Sequence, residues 1–244
     1  MTMDQMRTGN VFDLNNAREP ITIVGCGALG SAVALQLAKL GCTLRLIDGD
    51  KVEGHNIPNQ LIYGVSDIGK FKAEALRDRL IELTDNREHA AQVKFVDLDT
   101  VLNDRFVFCC VDSMAARKLI FDRITDRDGV YFDGRIGAYD YSSYAVSRSY
   151  IDQMREYTNT LHDDDDTVAD RAACGTIMSI GSTAMLCASH IVWQFLKAVK
   201  GDKSPNVVVG SVRDHRFFTK SFMWDGEEDG GVHVDVDTKY ESRR

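Results

Sequence analysis

The stretch of chain between residues 21 and 48 constrains the fold more than any other feature. It opens with ITIVG, an apolar and β-branched run typical of a buried parallel strand. The glycine-rich turn GCGALG follows at 25–30 and leads into an amphipathic helix at 28–40. A second apolar run at 43–47 completes the segment. Because a strand, a tight glycine turn, a helix and a strand occur in this order, we predict a right-handed βαβ unit.

The three glycines of the turn have separate physical roles in such a unit. Gly25 allows the tight turn, Gly27 lets a phosphate approach the backbone, and Gly30 lets the helix pack closely on the strand. The helix N-terminus then points its unpaired N–H groups at the phosphates. Asp48 ends the second strand, where a carboxylate can bind ribose hydroxyl groups. The motif predicts a nucleotide site but fits ATP and a dinucleotide equally well, and a glycine turn that binds nothing is the plainest alternative.

Strands and helices continue to alternate beyond this unit. Further helices are predicted at 66–83 (with Ser66 or Asp67 as its cap), 113–124 and 176–200. Further strands are predicted at 92–96, 105–111, 129–132, 141–150, 206–211 and 217–223. We expect the last two to extend the sheet in an antiparallel direction. The predicted fold class is therefore α/β: a Rossmann-like, doubly wound, mostly parallel sheet with antiparallel strands at the C-terminal end.

The length of 244 residues suits one such domain with short additions at its ends. We expect an N-terminal arm at 1–19, the α/β domain at 20–224, and an acidic, disordered tail at 225–244. The nucleotide-binding half of the domain spans about 20–135. The polar stretch at about 151–173 is expected to be a mobile surface loop.

Composition and charge exclude several classes of protein. The net charge is -8 and the sequence pI is about 5.2, whereas nucleic-acid surfaces normally show a basic excess. No run approaches the roughly 18 apolar residues of a membrane helix, and the N-terminus lacks the apolar core of a secretory signal. We therefore predict a cytoplasmic protein that binds neither nucleic acid nor a membrane. The six cysteines show no Cys-x-x-Cys spacing, which argues against a zinc ribbon and a disulfide scaffold.

Three further segments carry a more specific pattern than the glycine turn. Residues 48–60 read DGDKVEGHNIPNQ, residues 67–73 read DIGKFKA, and residues 111–117 begin with VDS and end with arginine. Together these segments resemble the ThiF/MoeB/HesA superfamily, which includes the activating enzymes for ubiquitin-like proteins. The resemblance covers roughly residues 20–200. The residues in register with the family pattern are Asp48, Asp50, Val52, Asn56, Gln60, Asp67, Gly69, Lys72, Asp112 and Arg117.

The resemblance implies an ATP-dependent adenylyltransferase with Mg²⁺. Its substrate would be the carboxylate at the C-terminal glycine of a small ubiquitin-like or sulfur-carrier protein, and the enzyme would be a homodimer. Attack on the α-phosphate builds negative charge there and on the departing pyrophosphate, so cations must face both.

The resemblance also implies a role for individual residues. Lys72 would be the α-phosphate cation, Asp112 the Mg²⁺ ligand, and Asp48 the ribose ligand. Asn56 would orient a phosphate or the metal shell. The other nucleotide-binding positions implied are Gly25, Gly27, Gly30, Asp50, Asn59 and Gln60.

Several of these residues also have a purely structural interpretation. Lys72 could be a solvated helix lysine like its neighbour Lys70, and Asp112 could be a helix N-cap. Cys174 precedes the long helix, where some relatives carry a cysteine that accepts the activated acyl group. Packing at the helix N-terminus is the alternative for that cysteine.

One position departs from the family pattern. Asn59 stands where the family has an arginine that contacts the triphosphate. Arg135 could compensate from the same edge of the sheet, or Arg7 or Arg18 could reach a partner subunit's site. Two other functions remain open on the sequence: an NAD(P)-dependent oxidoreductase, supported by the glycine turn and Asp48, and a nucleotide-binding scaffold that has lost catalysis.

Overall fold

The computed structural model describes residues 18–162 and 180–221, which contain one eight-stranded sheet and five α-helices. The elements are, in chain order, β1 (Ile21–Val24), α1 (Ala28–Lys39), β2 (Leu44–Ile47), α2 (Lys72–Thr84), β3 (Ala90–Gln92), β4 (Phe106–Cys109), α3 (Met114–Arg123), β5 (Val130–Ile136), β6 (Asp140–Ser147), α4 (Ile151–Thr158), α5 (Gly181–Lys200), β7 (Val207–Ser211) and β8 (Arg216–Lys220). The expected tail, Cys174 and nearly all of the expected N-terminal arm lie outside the described residues.

The strand order confirms the predicted fold class. The sheet runs β3-β2-β1-β4-β5-β6-β7-β8. The first five strands of this order are parallel, and β6, β7 and β8 continue it in antiparallel pairs. The order reverses between β1 and β4. In open α/β sheets, ligands bind outside the carboxyl ends of the strands at such a reversal, so the glycine turn after β1 lies where a site is expected.

Each face of the sheet packs against its own helices. Ile21, Ile23 and Phe108 face the layer formed by α1, α2 and α5. Val107 and Tyr131 face the smaller layer formed by α3 and α4. This alternation along the strands follows from the two-residue period of β-structure, and burial on both faces explains why the sequence of β4 is apolar throughout. The core therefore fixes the carboxyl ends of β1, β2, β4 and β5 in one row.

The helix predicted at 66–83 begins later, at Lys72, with Phe71 as its N-cap. Ser66 and Asp67 are therefore not its cap. Gly69 has a φ of +89°, which interrupts helical geometry. Val52 donates to the Lys70 carbonyl and accepts from the Gly69 N–H, which holds the segment before the helix against the 48–60 stretch.

The prediction of a mobile loop at 151–173 is wrong for its first residues, because α4 occupies Ile151–Thr158. Gln153 and Tyr157 are the two residues of α4 that are buried, so this helix packs on the sheet through a narrow stripe. The remainder of the loop, from residue 163, lies outside the described residues. Among the helices described, none is long and apolar enough to cross a membrane.

Candidate active site

The glycine turn after β1 has the geometry of a phosphate-binding loop. Gly25 has a φ of +91°, and a Cβ there would lie 2.7 Å from the Cys110 carbonyl oxygen. A Cβ on Gly30 would lie 1.8 Å from the carbonyl oxygen of Gly25, so only glycine lets α1 pack on the loop. A Cβ on Gly27 would meet nothing closer than the Gln60 side chain at 3.9 Å. Gly25 and Gly30 are therefore required by packing, whereas Gly27 borders open space at the N-terminus of α1.

Asp48 fixes the loop from the end of β2. Its two carboxylate oxygens accept the N–H of Cys26 at 2.6 Å and the N–H of Asp50 at 2.7 Å. Burial raises the pKa of the Asp48 carboxyl, and these two backbone hydrogen bonds oppose the shift. Its predicted contact with ribose stays a prediction. Asp50, whose side chain is 54% exposed, is the more open carboxylate at this edge.

Lys72 is the first residue of α2 and is not a solvated lysine. Its side chain is 11% exposed, and its Nζ lies 2.9 Å from Asp50 Oδ2. Its backbone N–H donates to the Asp50 carbonyl at 2.8 Å. The nearby Lys70 has a side chain that is 56% exposed and pairs with Asp67. The fold thus directs Lys72 back toward the carboxyl end of β2.

Tyr63 links the glycine turn to α2 and was not identified from the sequence. This buried tyrosine donates its hydroxyl hydrogen bond to the Cys26 carbonyl at 2.7 Å, and the Lys72 carbonyl lies 3.2 Å away. Burial raises the pKa of its phenol, so the hydroxyl remains a donor. A single tyrosine in a loop is a weak sequence signal, because its burial depends on contacts with both flanking segments.

The segment after β2 places Asn56 and Gln60 differently. Asn56 is buried, and its Oδ1 accepts the Glu53 N–H at 2.9 Å within a short 3₁₀ turn. Asn59 lies next to the start of α5, where its carbonyl oxygen would be 3.0 Å from a Cβ on Gly181. The Oε1 of Gln60 is buried and has no hydrogen-bond partner among the described residues, while its Nε2 faces Gly27. Gln60 therefore keeps a buried acceptor oxygen without a partner, while the donor end of its amide lies toward the glycine turn.

Asp112 lies just beyond β4, across the strand-order reversal from the turn. It is exposed, and Ser113 rather than Asp112 caps α3, accepting the Ala116 N–H at 3.1 Å. The N-cap interpretation of Asp112 is therefore wrong. Arg117 of α3 donates to the Val111 carbonyl immediately before Asp112. This contact fixes the backbone on which the Asp112 carboxylate is carried.

A buried charged cluster that includes Arg117 supports the backbone at Val111 and Asp112. Asp133 is 0% exposed and accepts hydrogen bonds from Arg117, from Arg135 Nε at 2.8 Å and from the Tyr157 hydroxyl at 3.1 Å. Arg135 also donates to the Thr160 carbonyl and hydroxyl. It is therefore engaged within the cluster, so the suggestion that it replaces the family arginine finds no support in its contacts.

The described cysteines are all buried, which does not suit a nucleophile. Cys26, Cys109, Cys110 and Cys187 are buried, and burial raises the pKa of each thiol. Cys42 is equally buried, with a pKa of about 12. A thiol of raised pKa carries little thiolate near neutral pH. Cys174 and Arg7 lie outside the described residues.

The residues at this edge of the sheet fit a nucleoside triphosphate with its metal ion. The described residues contain no cluster of three or more acidic, histidine or cysteine ligands that could hold a metal alone. Mg²⁺, however, is commonly held by one or two carboxylates together with substrate phosphates, and the exposed Asp112 would be such a carboxylate. The open backbone at Gly27 leaves room for an adjoining phosphate, and the Nε2 of Gln60, the donor end of its amide, faces this space.

Comparison with known sequences identifies similar proteins. An adenylyltransferase and sulfurtransferase uba4 from Neosartorya fischeri is 36% identical over 123 residues, which are 50% of this chain and 24% of the relative. A probable adenylyltransferase/sulfurtransferase MoeZ from Mycobacterium tuberculosis is 38% identical over 71 residues, 29% of this chain and 18% of the relative. The chain thus spans about a quarter or less of the length of these curated relatives.

Solved structures share the fold at lower sequence identity. PaaA, in selenomethionine form, superposes with a TM-score of 0.68 at 23% identity, covering 87% of this chain and 67% of PaaA. The Escherichia coli protein MccB, solved with ATP, has a TM-score of 0.62 at 14% identity, covering 85% of this chain and 65% of MccB. A model of the ThiF family matches residues 5–223, nearly the whole sequence. The chain belongs to the ThiF family.

Proposed function

We propose that this protein adenylylates a carboxylate with ATP. The observation that carries the proposal is the pairing of Lys72 with Asp50 beside the open backbone of Gly27. A buried lysine that returns to the end of β2 places a cation next to a phosphate loop. The oxidoreductase alternative gives no reason for this placement.

The chain's residues suit an in-line transfer at the α-phosphorus. Backbone N–H groups at the start of α1 bind phosphate oxygens, and Lys72 balances the charge that develops on the α-phosphate. Asp112 would hold Mg²⁺, which would offset charge on the phosphates when bound. A carboxylate oxygen of the substrate forms a bond to the α-phosphorus, and the bond from that phosphorus to the bridging oxygen breaks. Pyrophosphate leaves with the electron pair, and an acyl-adenylate remains.

The substrate proposed is the C-terminal carboxylate of a ubiquitin-like or sulfur-carrier protein that ends in glycine. The names of uba4 and MoeZ as adenylyltransferases and sulfurtransferases support this class. The structural neighbour MccB has been solved together with MccA. A cytoplasmic location, where ATP is available, is part of the proposal.

ATP–pyrophosphate exchange tests the activity directly. We expect exchange only with a partner that has a free C-terminal glycine, and none when that carboxylate is amidated. Lys72→Ala should slow exchange by about ten- to a thousandfold, as the loss of one transition-state cation does. Lys70→Ala is the matched control, since the Lys70 side chain is 56% exposed and pairs with Asp67 rather than Asp50, and it should exchange at the wild-type rate. Equal rates in the two variants would remove Lys72 from the reaction.

Asp112→Asn separates the metal ligand from the fold. Because Ser113 caps α3 and Arg117 fixes the Val111 carbonyl, the variant should keep the wild-type Tm. We expect its exchange rate to fall by at least tenfold and its dependence on Mg²⁺ concentration to move to higher values. An unchanged Mg²⁺ dependence would contradict the assignment of Asp112.

Cys174 remains the candidate for a second step. Its thiolate would attack the acyl carbonyl of the adenylate, forming a thioester and releasing AMP. Cys174→Ala should keep pyrophosphate exchange and lose a thiol-sensitive adduct with the partner on non-reducing electrophoresis. An adduct that persists in the variant would place the nucleophile elsewhere.

A homodimer is part of the same proposal. On α5, Leu186 and Trp193 are large hydrophobic side chains that stay exposed, at 43% and 54%. An apolar groove lined by Ala32, Leu61 and Met185 lies beside the start of this helix. Light scattering should give twice the chain mass for the wild type, and Leu186→Glu should shift it toward the monomer. A wild-type monomer at micromolar concentration would exclude the dimer.

A further inference from the structure

A phenylalanine lies beside the end of β3, at the side of the candidate site away from the phosphate-binding residues. Phe95 follows β3 by three positions, and the β2–β3 pairing continues to this edge because the Asp48 N–H donates to the Gln92 carbonyl at 3.2 Å. A Cβ on Gly49 would lie 2.7 Å from Phe95 Cε2 and 2.9 Å from Cδ2 and Cζ. The ring therefore rests directly on the backbone between Asp48 and Asp50, and it can do so only because residue 49 is glycine.

The opposite side of this ring is open. Phe95 is 67% exposed although it is fixed against Gly49 on one side. An aromatic ring held at one edge and exposed elsewhere presents a flat apolar surface of the kind that nucleobases stack on. Leu98, in the same segment, is 74% exposed but is not among the atoms nearest to Gly49. Exposure alone therefore does not distinguish Phe95, whereas its position over the Asp48–Asp50 turn does.

The sheet order determines which part of a nucleotide would reach this ring. The phosphates belong at the glycine turn, between β1 and β4. The ribose belongs beside the carboxylates at the end of β2. The base lies on the far side of the ribose from the phosphates, which brings it to the end of β3, the next strand in the sheet. Phe95 is the aromatic residue at that position.

We infer that Phe95 is the platform on which the adenine base stacks, and that Gly49 allows the ring to approach. This inference rests on the proposed function and adds to it a residue that recognises the base rather than the phosphates. The expected ligand part is a planar purine. A Cβ at position 49 would push the ring out of place, so Gly49→Ala should act like a loss of Phe95.

Calorimetric titration with two ligands tests the inference. Mg-ATP carries a base, and Mg-tripolyphosphate carries only the phosphates. Phe95→Ala should weaken Mg-ATP binding by about tenfold or more, the effect of losing one base–aromatic stack, and should change tripolyphosphate binding by less than about twofold. Phe95→Tyr should retain the ATP affinity. Leu98→Ala, the matched control, should bind both ligands as the wild type does.

A spectroscopic variant gives a readout that a merely structural role would not move. In Phe95→Trp, Mg-ATP should quench the added indole fluorescence relative to the wild type, and tripolyphosphate should not. Wild-type ATP affinity in Phe95→Ala, or equal loss of both ligands, would overturn the inference while leaving adenylylation intact. If the wild type binds no Mg-ATP at all, the proposed function fails and this inference fails with it.

Discussion

Neutralising Asp133 tests whether the buried cluster stabilises the fold. Asp133 has no exposed surface, and its partner Arg117 is 4% exposed. In Asp133→Asn the side chain keeps nearly the same volume, so the main effect is that the guanidinium groups of Arg117 and Arg135 lose their shared counter-charge. Breaking one partner of a buried pair costs about 3–5 kcal/mol. For a domain of this size that corresponds to roughly 6–20 °C in Tm.

The assay is thermal and urea unfolding followed by circular dichroism, with an exposed ion pair as the control. Asp152→Asn breaks the ion pair with Arg155. The side chain of Asp152 is 62% exposed and that of Arg155 is 69% exposed. Its effect should stay below about 1 kcal/mol. The double variant Asp133→Asn/Arg117→Met removes the charges of the Asp133–Arg117 pair and leaves Arg135 without its carboxylate, and its cost should be smaller than the sum of the two single costs. Costs that simply add, or an Asp133→Asn cost below about 1 kcal/mol, would refute the reasoning.

Three further changes test other parts of the structure. Gly30→Ala should lower Tm by several degrees or prevent folding, because its Cβ would lie 1.8 Å from the Gly25 carbonyl oxygen; an unchanged Tm in calorimetry would contradict this packing. Tyr63→Phe keeps the ring but loses the hydrogen bond to Cys26. It should lower the free energy of unfolding in urea by about 1 kcal/mol and weaken Mg-ATP binding in titration calorimetry. Mg-ATP affinity equal to that of the wild type would leave Tyr63 with a purely structural role. Burial lowers the pKa of His89, whose Nδ1 accepts the Leu44 N–H. The stability linked to this group is present above the ordinary histidine pKa near 6.5 and is lost as pH falls through the lowered value. His89→Asn should therefore flatten the fall in Tm between pH 7 and pH 5, and a slope equal to that of the wild type would exclude this histidine as the cause.

The first βαβ unit could be predicted from sequence because its signals are local. The apolar period, the three glycines and the helix end all lie within one short stretch, and the observed α1 (Ala28–Lys39) differs from the prediction by one residue. The start of α2 could not be placed in the same way. Residues 66–71 have an acceptable helical pattern, but the bridge between Lys51 and Phe71 and the positive φ of Gly69 override it. Both depend on contacts outside the segment.

The candidate site divides along the same line. The family pattern identified Lys72 and Asp112, since each lies within a short, recognisable segment. It did not reveal that Asp133 anchors Arg117, because these two residues meet only when β4 and β5 pair. Tyr63 was missed for a similar reason: its hydroxyl acts between two segments that the sequence separates. Tertiary hydrogen bonds of buried polar groups leave no periodic trace in the chain.

The position of β1 between β2 and β4 affects the order in which the site can assemble. The pairing with β2 joins segments that are close in sequence, whereas the pairing of Val24 with Cys109 joins segments separated by α1, β2, α2 and β3. Such distant contacts close a long loop and form slowly. We therefore expect the glycine turn to lie between a part of the sheet that pairs early and a part that pairs late during folding. A nucleotide that contacts the ends of both β1 and β4 would stabilise their pairing. The Cys110 amide donates to the Val24 carbonyl at 2.8 Å, and its hydrogen should therefore exchange more slowly when Mg-ATP is present.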